Sequence, residues 1–136
     1  MSSISTIALS GMTAATRRLA VSASNVANIA STGTLPDASG AVAAGAPRAY
    51  APLVVVETAS AGGGTATSVA TATPSTTAVS DPQAPFANAS GLVAAPNVDL
   101  SQEMISQLIA SYSFAAGAAT MKADDRMAKA LIDIKA

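Results

Sequence analysis

The chain has 136 residues, a formal net charge of −1, no Cys and no His. Ser–His and Cys–His nucleophilic pairs are therefore excluded, zinc loses its usual ligands, and a near-neutral charge argues against nucleic acid as a partner. Half the residues are apolar, but Ala dominates them, with two Phe, two Tyr and no Trp. Burial is worth about 0.8 kcal/mol per CH₂, so an Ala-rich chain gains little from a core of its own.

The first predicted element is an amphipathic helix within residues 1–30. Ile4, Ala8, Met12, Ala15, Leu19, Ala23 and Val26 share one face at helical spacing, with eleven-residue relations such as Ile4/Ala15/Val26. Gly11 lowers local helix propensity by about 1 kcal/mol relative to Ala. It is either a tolerated weak spot or a place where another backbone comes close. Ser31-Thr32-Gly33 and Pro36 end the helix. No basic residue precedes an early apolar run, so the N-terminus does not read as a secretory signal peptide.

Residues 31–95 are a different material, rich in Gly, Ser, Thr, Pro and Ala. Between Thr58 and Val98 the only charge is Asp81. Leu53-Val54-Val55-Val56 is a strand candidate, and the loose alternation from Thr65 to Thr73 supplies a second. Gly62-Gly63-Gly64 between them predicts a hairpin with a mobile tip. The triplet lacks the Gly-Lys-Ser/Thr ending of a phosphate loop. Asp81-Pro82 and Ala84-Pro85 then hold the chain extended. A two-stranded hairpin is marginal in water, so this arm needs a surface to lie against.

The last element, residues 96–136, is a long helix. Asp99 is the expected N-cap, with Gln102 three positions on. Ile105, Leu108, Ile109, Tyr112, Ala116, Ala119, Ala123, Met127, Ala130 and Ile134 form one stripe, which also reads as an eleven-residue repeat. At about 1.5 Å per residue the helix is roughly 50 Å long, more than so small a domain can cover. Its stripe must find partners outside the chain. Asp124 and Asp125 point about 100° apart on a helix, which makes a shared metal a poor reading. Asp125 with Lys129 is an ordinary i,i+4 pair. The expected fold is mainly α: two long terminal helices pairing as an α-helical coiled coil, with a small extended or β-hairpin middle. No enzyme activity, cofactor or small-molecule substrate is expected.

Two segments carry a resemblance. Asp81 to Asp99 reads DPQAPFANASGLVAAPNVD and runs on to Glu103-Met104; it resembles the Pro-Asn-Val-Asp-x-x-x-Glu-Met segment of the flagellar basal-body rod proteins, closest to their proximal rod type. Ala8-Leu9-Ser10-Gly11-Met12, Arg18-Leu19 and Ala23-Ser24-Asn25-Val26-Ala27-Asn28 resemble the N-terminal signature shared by rod and hook proteins. The family's Ala-Arg-x-Tyr-x-Ala-Asn pattern is replaced here, with Tyr112, Phe114 and Gly117 standing for its Arg, Tyr and Asn.

The resemblance implies a structural subunit of the rod, built with copies of itself and other rod subunits into a hollow shaft that transmits torque. It implies export through the flagellar apparatus without a cleaved signal, and a place in the basal body, in the periplasmic space. It adds Asn25, Asn28, Asn97, Val98, Asp99 and Met104 to the two stripes as assembly-interface residues. Another axial subunit of the rod or hook type is one alternative. A membrane-surface amphipathic helix is another, but it needs a basic polar face, and only Arg17 and Arg18 supply charge on the first helix.

Overall fold

The computed structural model describes residues 3–134; of Ile134, only the backbone belongs to the described part. Helix α1 (Ser3–Ala27) is followed by strands β1 (Leu53–Ala59), β2 (Thr65–Thr71), β3 (Thr76–Ser80) and β4 (Leu92–Pro96), then by helix α2 (Leu100–Ile134). Asp99 Oδ1 accepts from the Ser101 and Gln102 amides at 2.8 and 3.1 Å, the N-cap geometry expected of it. At the end of α1, Asn28 Nδ2 donates to the Ser24 carbonyl at 2.9 Å and closes the last turn.

The helices lie antiparallel. The Ser5 hydroxyl donates to the Asp124 carboxylate, Met12 rests on Gly117, and Ser22 Oγ donates to the Glu103 carbonyl at 3.0 Å. Their contact face is small and polar. From α1 it buries Ser5, Ala8, Ala15, Ser22 and Asn25; from α2 it covers Glu103, Gln107, Ala110, Gly117, Met121 and Asp124. A Cβ on Gly117 would meet Met12 Cγ at 2.5 Å, so the Met12 side chain fills the space that a larger residue at 117 would need. Gly11, the glycine expected to admit a close backbone, has open space around it in this chain.

The α2 stripe faces away from α1. Every member from Ile105 to Ala130 is exposed, and Tyr112 reaches 69 %. Thus the expected apolar coiled-coil seam is not what joins α2 to α1 within the chain. Serine hydroxyls, an alanine and glycine approach, and the Asn25–Glu103 contact join them instead.

The middle holds two antiparallel strand pairs rather than one hairpin. The β1–β2 register runs from Leu53↔Thr71 to Ala59↔Thr65, as the strand and Gly-rich turn signals foretold. The β3–β4 pair, from Thr76↔Pro96 to Ser80↔Leu92, replaces what was expected to be merely extended chain. The first hairpin finds its surface on α1. Its tip is not free there: a Cβ on Gly64 would sit 2.2 Å from Ser10 Oγ, and one on Gly63 would sit 3.0 Å from Ile7 Cδ1. Both glycines take positive φ, +83° and +82°, so side chains are disfavoured twice over.

The buried apolar side chains among the described residues are Ala8, Ala14, Ala15, Val93, Ala94 and Ala110. Pro52 and Pro96 are buried as well, and only Val93 and these prolines are larger than Ala, which fits the slender core expected from composition. Gly33 crosses at its centre, exchanging backbone bonds of 2.9 Å with Ala94 in both directions. A Cβ there would lie 2.2 Å from the Ala49 nitrogen. Gly33→Ala is therefore expected to cost about 1–3 kcal/mol by overpacking against backbone. Gly62→Ala, with nothing near its Cβ, should leave urea unfolding unchanged and serves as the control.

Candidate functional site

Asn25 is the polar centre of the molecule. It is 2 % exposed, and its Nδ2 donates to the Leu53 carbonyl at 2.9 Å and to Glu103 Oε1 at 2.6 Å. Its Oδ1 accepts from the Leu53 amide at 2.9 Å and from the Tyr50 hydroxyl at 3.1 Å. One amide side chain thus fastens the end of α1 to the start of β1 and the first turn of α2. Burying an amide is costly unless its groups are bonded, and here both ends are used. Asn25 belongs to the N-terminal signature and Glu103 to the Pro-Asn-Val-Asp-x-x-x-Glu-Met run. The two resembling segments meet at this bond.

The other motif polar residues also have partners inside the chain. Asn97 Nδ2 donates to the Pro74 carbonyl and its amide to the Ser75 carbonyl, both at 3.0 Å, which fixes the end of the β3–β4 pair. Asn28 and Asp99 close helix ends, as described above. Sequence reading assigned these residues to assembly contacts; the structure employs their polar groups in the fold. Val26 and Val98 are half-buried.

A groove of about 290 Å³ opens beside this junction, lined by Arg18, Ser22, Asn25, Leu53, Glu103 and Ser106 among others. Arg18, at its edge, pairs with Glu57 at 2.6 Å. A second cleft, about 280 Å³ and mostly apolar, lies between the helices at Ala15, Leu19, Ala110 and Phe114. No group of three or more acidic, Cys or His residues that could hold a metal is found among the described residues. No described helix is long and apolar enough to cross a membrane.

The largest feature is therefore a surface. Leu100, Met104, Ile105, Leu108, Ile109 and Tyr112 make an exposed apolar band along the first three turns of α2, with Met104 62 % exposed. Ala116, Ala119, Ala123, Met127 and Ala130 continue it with small residues, all exposed. Between Glu103 and Lys122 the helix carries no charge. Beyond Asp124, which faces Ser5, the helix runs on past Ser3, and Met127, Leu131 and Ile132 are exposed there. On α1 the expected stripe divides: Ala8 and Ala15 are buried, Met12 is half-buried, and Ile4, Leu19 and Ala23 are exposed.

No curated protein matches the chain as a whole. Residues 89–134, about a third of the chain, match the family model described as flagellar basal body rod FlgEFG protein C-terminal. This span covers β4, the Asp99 cap, Glu103 and all of α2. Over that C-terminal region the chain is similar to the flagellar basal-body rod proteins, a structural family of the flagellum.

Proposed function

We propose that the whole chain is a rod subunit of the proximal, FlgC type, which polymerises through its two terminal helices into the hollow shaft that transmits motor torque. Copies of itself and other rod subunits are its partners. It reaches the periplasmic space through the flagellar export apparatus without a cleaved signal, and no catalytic role is assigned to it.

The observation that carries the reading is the exposed stripe from Leu100 to Met127 on the segment matched to the rod family. Apolar patches this continuous mark interaction surfaces. The interior also supports it. A core made mostly of Ala gives a weakly held monomer that can pass a narrow channel unfolded and gain order from its neighbours. The Pro96-Asn97-Val98-Asp99 run and its Gly91-Leu92-Val93 lead-in favour the proximal type over another axial subunit.

Fractionation tests the assignment. An epitope-tagged chain is expected to co-purify with intact basal bodies and to be absent from membranes of cells lacking them. Recovery with membranes irrespective of basal bodies would favour the amphipathic-helix alternative.

A further inference from the structure

The first hairpin has an open side. It is a two-stranded sheet, so the edge of β2 away from β1 has no strand beside it. Ser60 N–H donates to the Gly64 carbonyl and Ala72 N–H to the Pro52 carbonyl, so the even-numbered positions of this segment bond toward β1. In an antiparallel ladder the alternate residues point their amides and carbonyls the other way. Those are Thr65, Thr67, Val69 and Thr71. Ser10 Oγ accepts the Thr65 amide at 3.1 Å, which leaves the edge from Thr67 to Thr71 to solvent. The groove at the junction sets the start of α2 beside Leu53, Val54 and Val55 of β1, so α2 does not shield β2. Residues 68–71 are all exposed.

Sheet edges of soluble proteins are usually blunted by Lys, Pro or a bulge. Thr65-Ala66-Thr67-Ser68-Val69-Ala70-Thr71 has neither a charge nor a Pro. It also reads nearly the same in both directions about Ser68. We infer that β2 is a self-recognition edge, which pairs antiparallel with β2 of a second copy about a two-fold axis at Ser68.

In that register Ala66 faces the partner's Ala70 and Thr67 faces the partner's Val69, which has the same shape; Thr65, whose outward amide Ser10 takes, adds no ladder bond. Directly opposed side chains are the unit of sheet stabilisation, and matched Thr and Val pairs are favourable ones. The backbone agrees independently of the side chains. Thr67 and Val69 are outward-bonding residues, so each can exchange both hydrogen bonds with its opposite number. A one-residue slip would oppose outward-bonding positions to inward-bonding ones. The result is a four-stranded sheet, β1-β2-β2-β1, with both copies of α1 on the same face.

This contact goes beyond the rod assignment and does not depend on it. A two-fold contact relates subunits that point in opposite directions, whereas all subunits of a polar tube point the same way. The pairing therefore belongs to the free chain and has to open before assembly.

The chain has no Cys, so a single introduced thiol reports the axis. Ser68→Cys places two thiols across a narrow, non-hydrogen-bonded pair, with Cα atoms about 4.5 Å apart, within disulfide reach. Ala66→Cys lies on the same exposed face, but its two copies would be about 13 Å apart along the strands. Under copper-catalysed air oxidation of the full chain, Ser68→Cys is expected to form covalent dimer at least tenfold faster than Ala66→Cys. Ser68→Lys, which opposes two like charges, is expected to weaken the sedimenting dimer about fivefold or more. Equal cross-linking of the two thiols, none from either, or sedimentation unaffected by Ser68→Lys would overturn the proposal. Helix-driven association would give those results, because it does not pass through residue 68.

Discussion

Asn25→Leu is expected to destabilise the chain by about 3 kcal/mol or more. The substitution keeps the volume, but it leaves the Leu53 amide and carbonyl and Glu103 Oε1 without the partner they share, while the Tyr50 hydroxyl keeps Ser24 Oγ. Each buried polar group so orphaned costs about 1–3 kcal/mol, and water reaching the groove beside the junction recovers part of that. Small domains have only about 5–15 kcal/mol in total, so the loss removes much of the margin. Urea unfolding followed by circular dichroism on the complete chain is the measurement.

Asn25→Asp sharpens the test. It retains the acceptor for Leu53 and Tyr50 but sets a carboxylate against Glu103. Adding Glu103→Gln restores a donor facing an acceptor and is expected to recover part of the stability. Full additivity of the two changes would show that the 2.6 Å contact contributes no coupling.

That bond also shows how much the sequence disclosed. Both of its residues lie in segments singled out by resemblance, yet nothing local tells that Asn25 and Glu103, 78 positions apart, will touch. The helices themselves were legible, because helical spacing and a capping Asp are short-range signals that survive any tertiary context. The first hairpin was legible for the same reason, through a β-branched run and three glycines.

What could not be read was the face on which the helices join. Hydrophobic periodicity finds the most apolar stripe, and on α2 that stripe is the one the fold leaves uncovered. On α1 the stripe caught part of the internal face through Ala8 and Ala15, but Ser5, Ser22, Gly117 and Asp124 look solvated by compositional rules. The β3–β4 pair escaped notice because its five-residue strands are short, and β4 ends in Pro96, which ordinarily argues against a strand. The glycine tip was read as free because looseness of sequence does not reveal that α1 runs beneath it.

Ala119→Asp is expected to abolish swimming while the subunit is still made and exported. Ala119 lies on the exposed stripe among Tyr112, Ala116 and Ala123, on a helical stretch without charges until Lys122. If neighbouring helices close over these small residues, a carboxylate there enters a water-poor contact with no cation opposite it. Leaving one charge unpaired in such a contact costs about 3–5 kcal/mol, and the penalty recurs at every subunit of a tube. Ala118→Asp is the matched control. It is also exposed, about 100° round the helix, on the flank that carries Lys122 and Lys129. There an Asp four residues ahead of Lys122 is mildly favourable. Neither substitution touches the face against α1, so both variants should fold as the parent does, which circular dichroism can establish. The comparison requires each variant in a strain lacking the native subunit, scored for swimming and for isolated rods. Intact rods from Ala119→Asp, or equal damage from Ala118→Asp, would show that the stripe is not where subunits meet.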